Sequence, residues 1–213
     1  MLAAYVAVGV GILAAIASSM MHRQAAVLPS ATGRPILLLL TSLPLVFNEQ
    51  MSLDGGGSSA LTRLEQRYRV ETISVADAAS LKGPRLLLMA QPRAQPAEAL
   101  VELDRWVRDG GHLLLLADPK LEWPSQRPLG DKLRPPPMFA DTGLLNHWGL
   151  TLSESGLVSS GSCEVADPGL VARCRIGKGS ATVVADADFI NVEDPDAPGL
   201  DLMMSELSRL GTR

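Results

Sequence analysis

The stretch that decides the fold runs from residue 84 to residue 119, PRLLLMAQPRAQPAEALVELDRWVRDGGHLLLLADP. Arg85 to Ala90 is a continuous apolar run rather than an alternating one, the pattern of a strand covered on both faces. Pro96 opens a helix where its missing N–H costs nothing. Glu98 and Glu102 fall near the positive end of that helix's dipole, and Arg105 and Arg108 near the negative end. Leu100, Leu103 and Val107 form the apolar stripe, with Val101 and Trp106 beside it. Gly110-Gly111 ends the helix, and His112 to Ala117 is a second buried strand. Strand, helix and strand make a βαβ unit, so the two strands are expected to be parallel with a right-handed crossover.

The flanking sequence extends this unit. Pro35 to Thr41 is another continuous apolar run and reads as a central parallel strand. After a flexible loop, Leu53 to Ser59, come a short amphipathic helix over Ala60 to Tyr68 and a strand over Val70 to Val75. Val75 to Leu81 reads as a short helical turn. Lys120 to Asp141 is rich in Pro and charge, has no periodicity, and reads as a surface excursion, of a length that is usually either functional or disordered. Leu144 to Leu150 reads as a short helix. Leu170 to Ile176 and Ala181 to Ala185 read as strands around the turn Gly177-Lys178-Gly179, and Gly199 to Leu210 as a closing helix. The alternation of strands and helices predicts an α/β three-layer sandwich with a mostly parallel sheet.

Leu2 to Met21 is uncharged and mostly apolar, long enough as a helix to cross the ~30 Å hydrocarbon core. The expected organisation is therefore one N-terminal transmembrane helix (residues 1–23), a linker (24–34) and an α/β domain (35–213). A signal peptide cleaved near Ala15-Ile16-Ala17 is the rival. The lack of a basic residue before the run, and its continuation past that point, favour an uncleaved anchor. Arg23 and Arg34 follow the segment, so the positive-inside rule read literally leaves the domain in the cytoplasm. Large domains translocate largely regardless of charge, and the side stays open at this stage.

The net charge is −4, and removing the first 23 residues leaves 18 basic against 23 acidic side chains. A mildly acidic domain with no basic stripe repels phosphate backbones, so nucleic acid is not an expected partner. The two cysteines, Cys163 and Cys174, have no metal-ligand spacing. They are either two small buried residues or a disulfide closing a short loop outside the cytoplasm.

Three aspartates are the candidate site residues. Asp118 follows one buried strand, and Asp186 and Asp188 follow another, where open α/β sheets bind ligands. Brought together they could coordinate a metal or hold sugar hydroxyls; the competing reading is that each caps its own loop. Glu193 and Asp194 add little. No metal or cofactor is assigned. Gly177-Lys-Gly-Ser180 lacks the first glycine of a phosphate loop. Of the histidines, His22 lies at the membrane edge, His112 opens a strand, and His147 has no evident partner. No Gly-x-Ser-x-Gly or Gly-x-Cys-x-Gly elbow occurs.

The unit from Leu86 to Pro119, followed by Gly177-Lys-Gly-Ser-Ala-Thr-Val-Val-Ala-Asp-Ala-Asp-Phe-Ile-Asn191, resembles the auxiliary domain of ABC-type uncharacterised transport system proteins, the gliding-motility-type group. The resemblance covers most of Ile36 to Leu210. It implies a fold similar to class I glutamine amidotransferases without the catalytic cysteine. It also implies a membrane-tethered domain outside the cytoplasmic membrane, partnered by an ABC permease and ATPase, and it brings no catalytic residues. The expectation is a non-catalytic accessory or binding subunit in the inner membrane with a periplasmic domain. Its contact surface would be Lys120 to Asp141 with Asp118 and Asp186, facing a membrane partner, a glycan or a small molecule. The alternative is a divergent metal-dependent hydrolase or amidotransferase-like enzyme using Asp118, Asp186 and Asp188.

Overall fold

The leucine runs become the central strands of one sheet. The computed structural model describes residues 33–47 and 57–212. Its strands are β1 (Ile36–Thr41), β2 (Arg69–Thr72), β3 (Leu86–Ala90), β4 (His112–Leu116), β5 (Leu150–Ser153), β6 (Gly156–Ser159), β7 (Glu164–Ala166), β8 (Val171–Ile176) and β9 (Gly179–Val184). Seven form a sheet in the order β2-β1-β3-β4-β9-β8-β7, and β5 and β6 make a separate hairpin. From β2 to β9 every neighbour is parallel, with Leu87 opposite Leu113 and Leu115 opposite Val183. Only β8 and β7 at one edge run antiparallel to their neighbours.

Alternate residues of a strand point to opposite faces, which is why both parities of each run must be apolar. Leu37, Leu39, Leu88 and Leu114 face helices α1 (Ser59–Glu65) and α4 (Gly199–Gly211). Leu38, Leu40, Leu87 and Leu113 face α2 (Ala97–Arg108) and α3 (Leu144–His147). The result is the α/β three-layer sandwich with a mostly parallel sheet that the sequence predicts.

Helix α2 ends in a Schellman motif: the Gly110 N–H donates to Val107 O and the Gly111 N–H to Trp106 O, with Gly110 at φ +105°. The turn of the β8–β9 hairpin packs on that end, the Lys178 N–H donating to Arg108 O at 2.9 Å. The two segments that carry the family resemblance are thus neighbours in space.

Val75 to Leu81 holds the short helical turn expected of it: the Leu81 N–H donates to Asp77 O at 3.0 Å, and Asp77 Oδ1 caps the turn by accepting from the Ser80 N–H at 2.8 Å. Two readings need correction. On α2 Leu103 and Val107 are buried and Leu100 and Trp106 pack beside them as expected, but Ala99 joins the buried face and Val101 is 58% exposed, on the side of the helix away from the sheet. Residues 150–166 hold β5, β6 and β7, which the sequence pattern does not reveal because Ser, Gly and Thr dilute it. The apolar segment Leu2 to Met21, read as an anchor, lies outside the described residues. Among the described residues no helix is long and apolar enough to cross a membrane.

Candidate functional site

Strands β4 and β9 are adjacent and parallel, so their carboxyl ends open side by side. Asp118 lies just beyond β4, and Asp186 and Asp188 just beyond β9. One carboxylate oxygen from each falls within 4.8 Å of the others. The separation of 68 residues between Asp118 and Asp186 vanishes because a non-sequential strand pairing joins them.

Each carboxylate also holds backbone. Asp118, 5% exposed, accepts from the Lys120 N–H through Oδ1 at 2.8 Å and from the Ala187 N–H through Oδ2 at 3.0 Å. It thereby ties the end of β4 to the end of β9. Asp186 Oδ1 accepts from the Asp188 N–H at 2.7 Å, and both oxygens of Asp188 accept from the Glu122 N–H. Burial pushes the Asp186 and Asp188 carboxyls up from the ordinary range. The backbone N–H bonds oppose this, and the negative charge of Asp118 adds to it. Three oxygens of this kind can share a proton or hold a hard cation. They can equally serve as caps of two loops.

Gln91, which the sequence reading did not single out, organises this end of the sheet. It is fully buried at φ +43°, just past β3. Its amide pairs with the backbone of Asp118 in both senses: the Asp118 N–H donates to Oε1 at 2.8 Å, and Nε2 donates to Asp118 O at 3.1 Å. A Gln before Pro92 carries no sequence signal of that role; the long-range partner creates it.

Lys120 to Asp141 folds back over the same edge as a strap. Its ends are tied by the Leu121 N–H to Pro137 O at 2.9 Å and the Phe139 N–H to Asp118 O at 2.7 Å. Leu121 and Trp123 pack on one core and Phe139 on the other. His147 has partners after all: its Nε2 lies 3.6 Å from Asp104 Oδ2 and 3.2 Å from Arg108 Nη2. Cys163 and Cys174 are bonded to each other, 4.2 Å apart at Cα, one register step beyond the β7–β8 pair Glu164 and Arg173. Both cysteines of the chain are therefore in the disulfide, and no thiolate is left as a nucleophile.

The fold and site define an α/β domain with a mostly parallel sheet, carboxylates at its carboxyl edge under a strap, and a disulfide beside β7 and β8. Within that class the assignment is direct. The family model for the ABC-type uncharacterized transport system matches residues 27–166, and the chain belongs to this family. No curated protein matches the sequence. Among solved structures the chain is similar to the mmIFT52 N-terminal domain, at 13% identity and TM-score 0.57, covering 83% of this chain and 98% of that one. It is also similar to cytoplasmic protein STM3548 from Salmonella typhimurium, at 11% identity and TM-score 0.51, covering 82% of this chain and 98% of that one. At such identities the likeness extends to the fold.

Proposed function

We propose that this chain is a non-catalytic accessory or binding subunit of an ABC-type transport system. In this reading Leu2 to Met21 anchors it in the membrane and the α/β domain stands outside the cytoplasm. The fold is taken as an amidotransferase-like scaffold that has lost its nucleophile. The observation that carries the reading is the family match, which spans β1 to β7. The Cys163–Cys174 disulfide supports an oxidising compartment. The strap and the carboxylate edge supply the contact surface, for a transporter subunit or for a glycan or small molecule.

The test is a mild-detergent pull-down of the tagged full-length chain from native membranes, read by mass spectrometry. Stoichiometric recovery of a permease and an ATPase is the expected result; recovery of the chain alone would overturn the transport role. A second reading has one observation in its favour, the approach of Asp118, Asp186 and Asp188 to within 4.8 Å. It makes the protein a metal-dependent hydrolase. Metal-dependent turnover by the purified chain, abolished by Asp186→Ala, would decide for it.

A further inference from the structure

The carboxyl edge of the sheet contains a second feature, away from the aspartates. In the strand order β2-β1-β3-β4, the chain leaves β1 toward β2 on one side and returns to β3 on the other. The helices after β1 and β3, α1 and α2, lie on opposite faces of the sheet. Strand ends that lead to opposite faces splay apart, and the gap between them is where open α/β sheets take ligands. A cavity of about 450 Å³ lies there, in the size range of small-molecule sites.

The lining has two chemistries. Leu43, Val46, Phe47, Ile73 and Leu133 provide apolar walls, with Phe47 73% and Leu133 61% exposed at the rim. Arg93, Arg127 and Lys132 bring three cations, and the described lining contains no Asp or Glu. That is an inversion of the domain's acidic balance. Arg127 is held 3.6 Å from Asp131, while Lys132 makes no ion pair among the described residues. The wall is built rather than loose. Arg93 Nη2 donates to Lys132 O at 2.6 Å and Arg134 O at 2.5 Å, and the Arg134 guanidinium donates to Arg127 O. On the opposite side Thr41 Oγ1 donates to Ala90 O at 2.9 Å, and the Ser42 hydroxyl donates to Gln91 O, fixing β1 against β3.

We propose that this crevice binds an amphipathic organic anion, with a phosphate or carboxylate head against Lys132 and Arg127 and an apolar body along Leu43, Val46, Phe47 and Leu133. Cations alone would suit any polyanion; apolar walls alone would suit any oil. Together, in a site partly shielded from water, they select a single negative head on a hydrocarbon body. This assignment does not depend on the transport reading, because every residue it uses lies in the α/β domain.

The experiment titrates the purified full-length chain, held in phosphatidylcholine nanodiscs, with octyl phosphate, octanol and inorganic phosphate, read by calorimetry. Octyl phosphate is expected to bind at least about tenfold more tightly than either other probe, the gain of one charge-assisted contact in a shielded site. Lys132→Gln should weaken octyl phosphate about five- to tenfold and leave octanol unchanged. Leu133→Ser should weaken both, which separates the two halves of the site. Adding phosphatidylglycerol to the nanodisc distinguishes the source. Competition with octyl phosphate assigns the site to a lipid head, and no competition assigns it to a free amphiphile; both outcomes keep the amphipathic anion. Equal affinity for octyl phosphate and octanol, or octyl phosphate binding unaltered by Lys132→Gln with the fold intact by circular dichroism, would overturn it.

Discussion

A Cβ placed on Gly179 would stand 2.1 Å from Gly111 O and 2.2 Å from Val107 O, so the hairpin turn and the helix end meet backbone to backbone. The Ser180 N–H donates to that same Gly111 carbonyl at 3.2 Å. A side chain can be accommodated at Gly179 only by separating β9 from α2. Gly179→Ala is therefore expected to destabilise the fold by about 2–4 kcal/mol, in the overpacking range. Gly211→Ala, where nothing lies within 4 Å, should change stability by less than about 0.5 kcal/mol. Thermal unfolding of the two variants side by side checks both.

Asp118 gives a different prediction. Asp118→Ala removes the acceptor of two backbone N–H groups, Lys120 and Ala187, and should destabilise by about 2–3 kcal/mol. Asp118→Asn keeps one acceptor and should lose about half of that. Chemical denaturation measures it. A neutral Asp118→Ala would mean that the carboxylate is kept for a ligand rather than for the loops.

The acidic trio sets a pH dependence whose sign follows from the raised carboxyls of Asp186 and Asp188. A group whose folded pKa exceeds its unfolded value binds its proton more tightly in the native state. Its contribution is fully present below the unfolded pKa and is lost as pH rises through the folded pKa. Asp186→Asn, which keeps an acceptor for the Asp188 N–H, should thus gain stability relative to the parent as pH rises from the carboxylate range toward neutrality. Tm against pH for the two proteins is the measurement, and parallel curves would refute the assignment.

Arg173 and Glu206 form a two-pronged pair between β8 and α4. Arg173 Nε donates to Glu206 Oε2 at 3.0 Å and Nη2 to Oε1 at 2.5 Å, and Glu206 is 1% exposed. Arg173→Met leaves the buried carboxylate with Arg209 Nε alone, 3.6 Å from Oε2, and is expected to destabilise by about 2–3 kcal/mol. Adding Glu206→Leu should restore most of the loss, since the charge that needed a partner is gone. A double-mutant cycle on urea midpoints reads the coupling.

Reducing the Cys163–Cys174 disulfide frees a loop with a sequence separation of 11 residues. The chain-entropy argument gives a loss of about 2–3 kcal/mol for a loop of that size. Unfolding with and without reductant should differ by that amount, and the Cys163→Ala, Cys174→Ala double variant should show no effect of reductant.

The fold was largely legible because its signals are local. Arg85 to Ala90 and His112 to Ala117 are apolar at both parities, which only a strand covered on two faces tolerates, and Gly110-Gly111 marks the end of the helix between them. The weak stretch from Leu150 to Ala166 was not legible. Its strands are four residues or fewer and gain their pairing from a neighbour and a disulfide rather than from their own pattern.

The site divides in the same way. By itself the sequence determined that Asp118, Asp186 and Asp188 stand at strand ends, because each follows a buried run. Only the tertiary structure decided that those ends are neighbours, since the β4–β9 pairing spans more than sixty residues of intervening chain. It also decided the placement of Gln91, Arg93 and Lys132. Each of these is held by a partner distant in sequence, and no local periodicity encodes a contact of that kind.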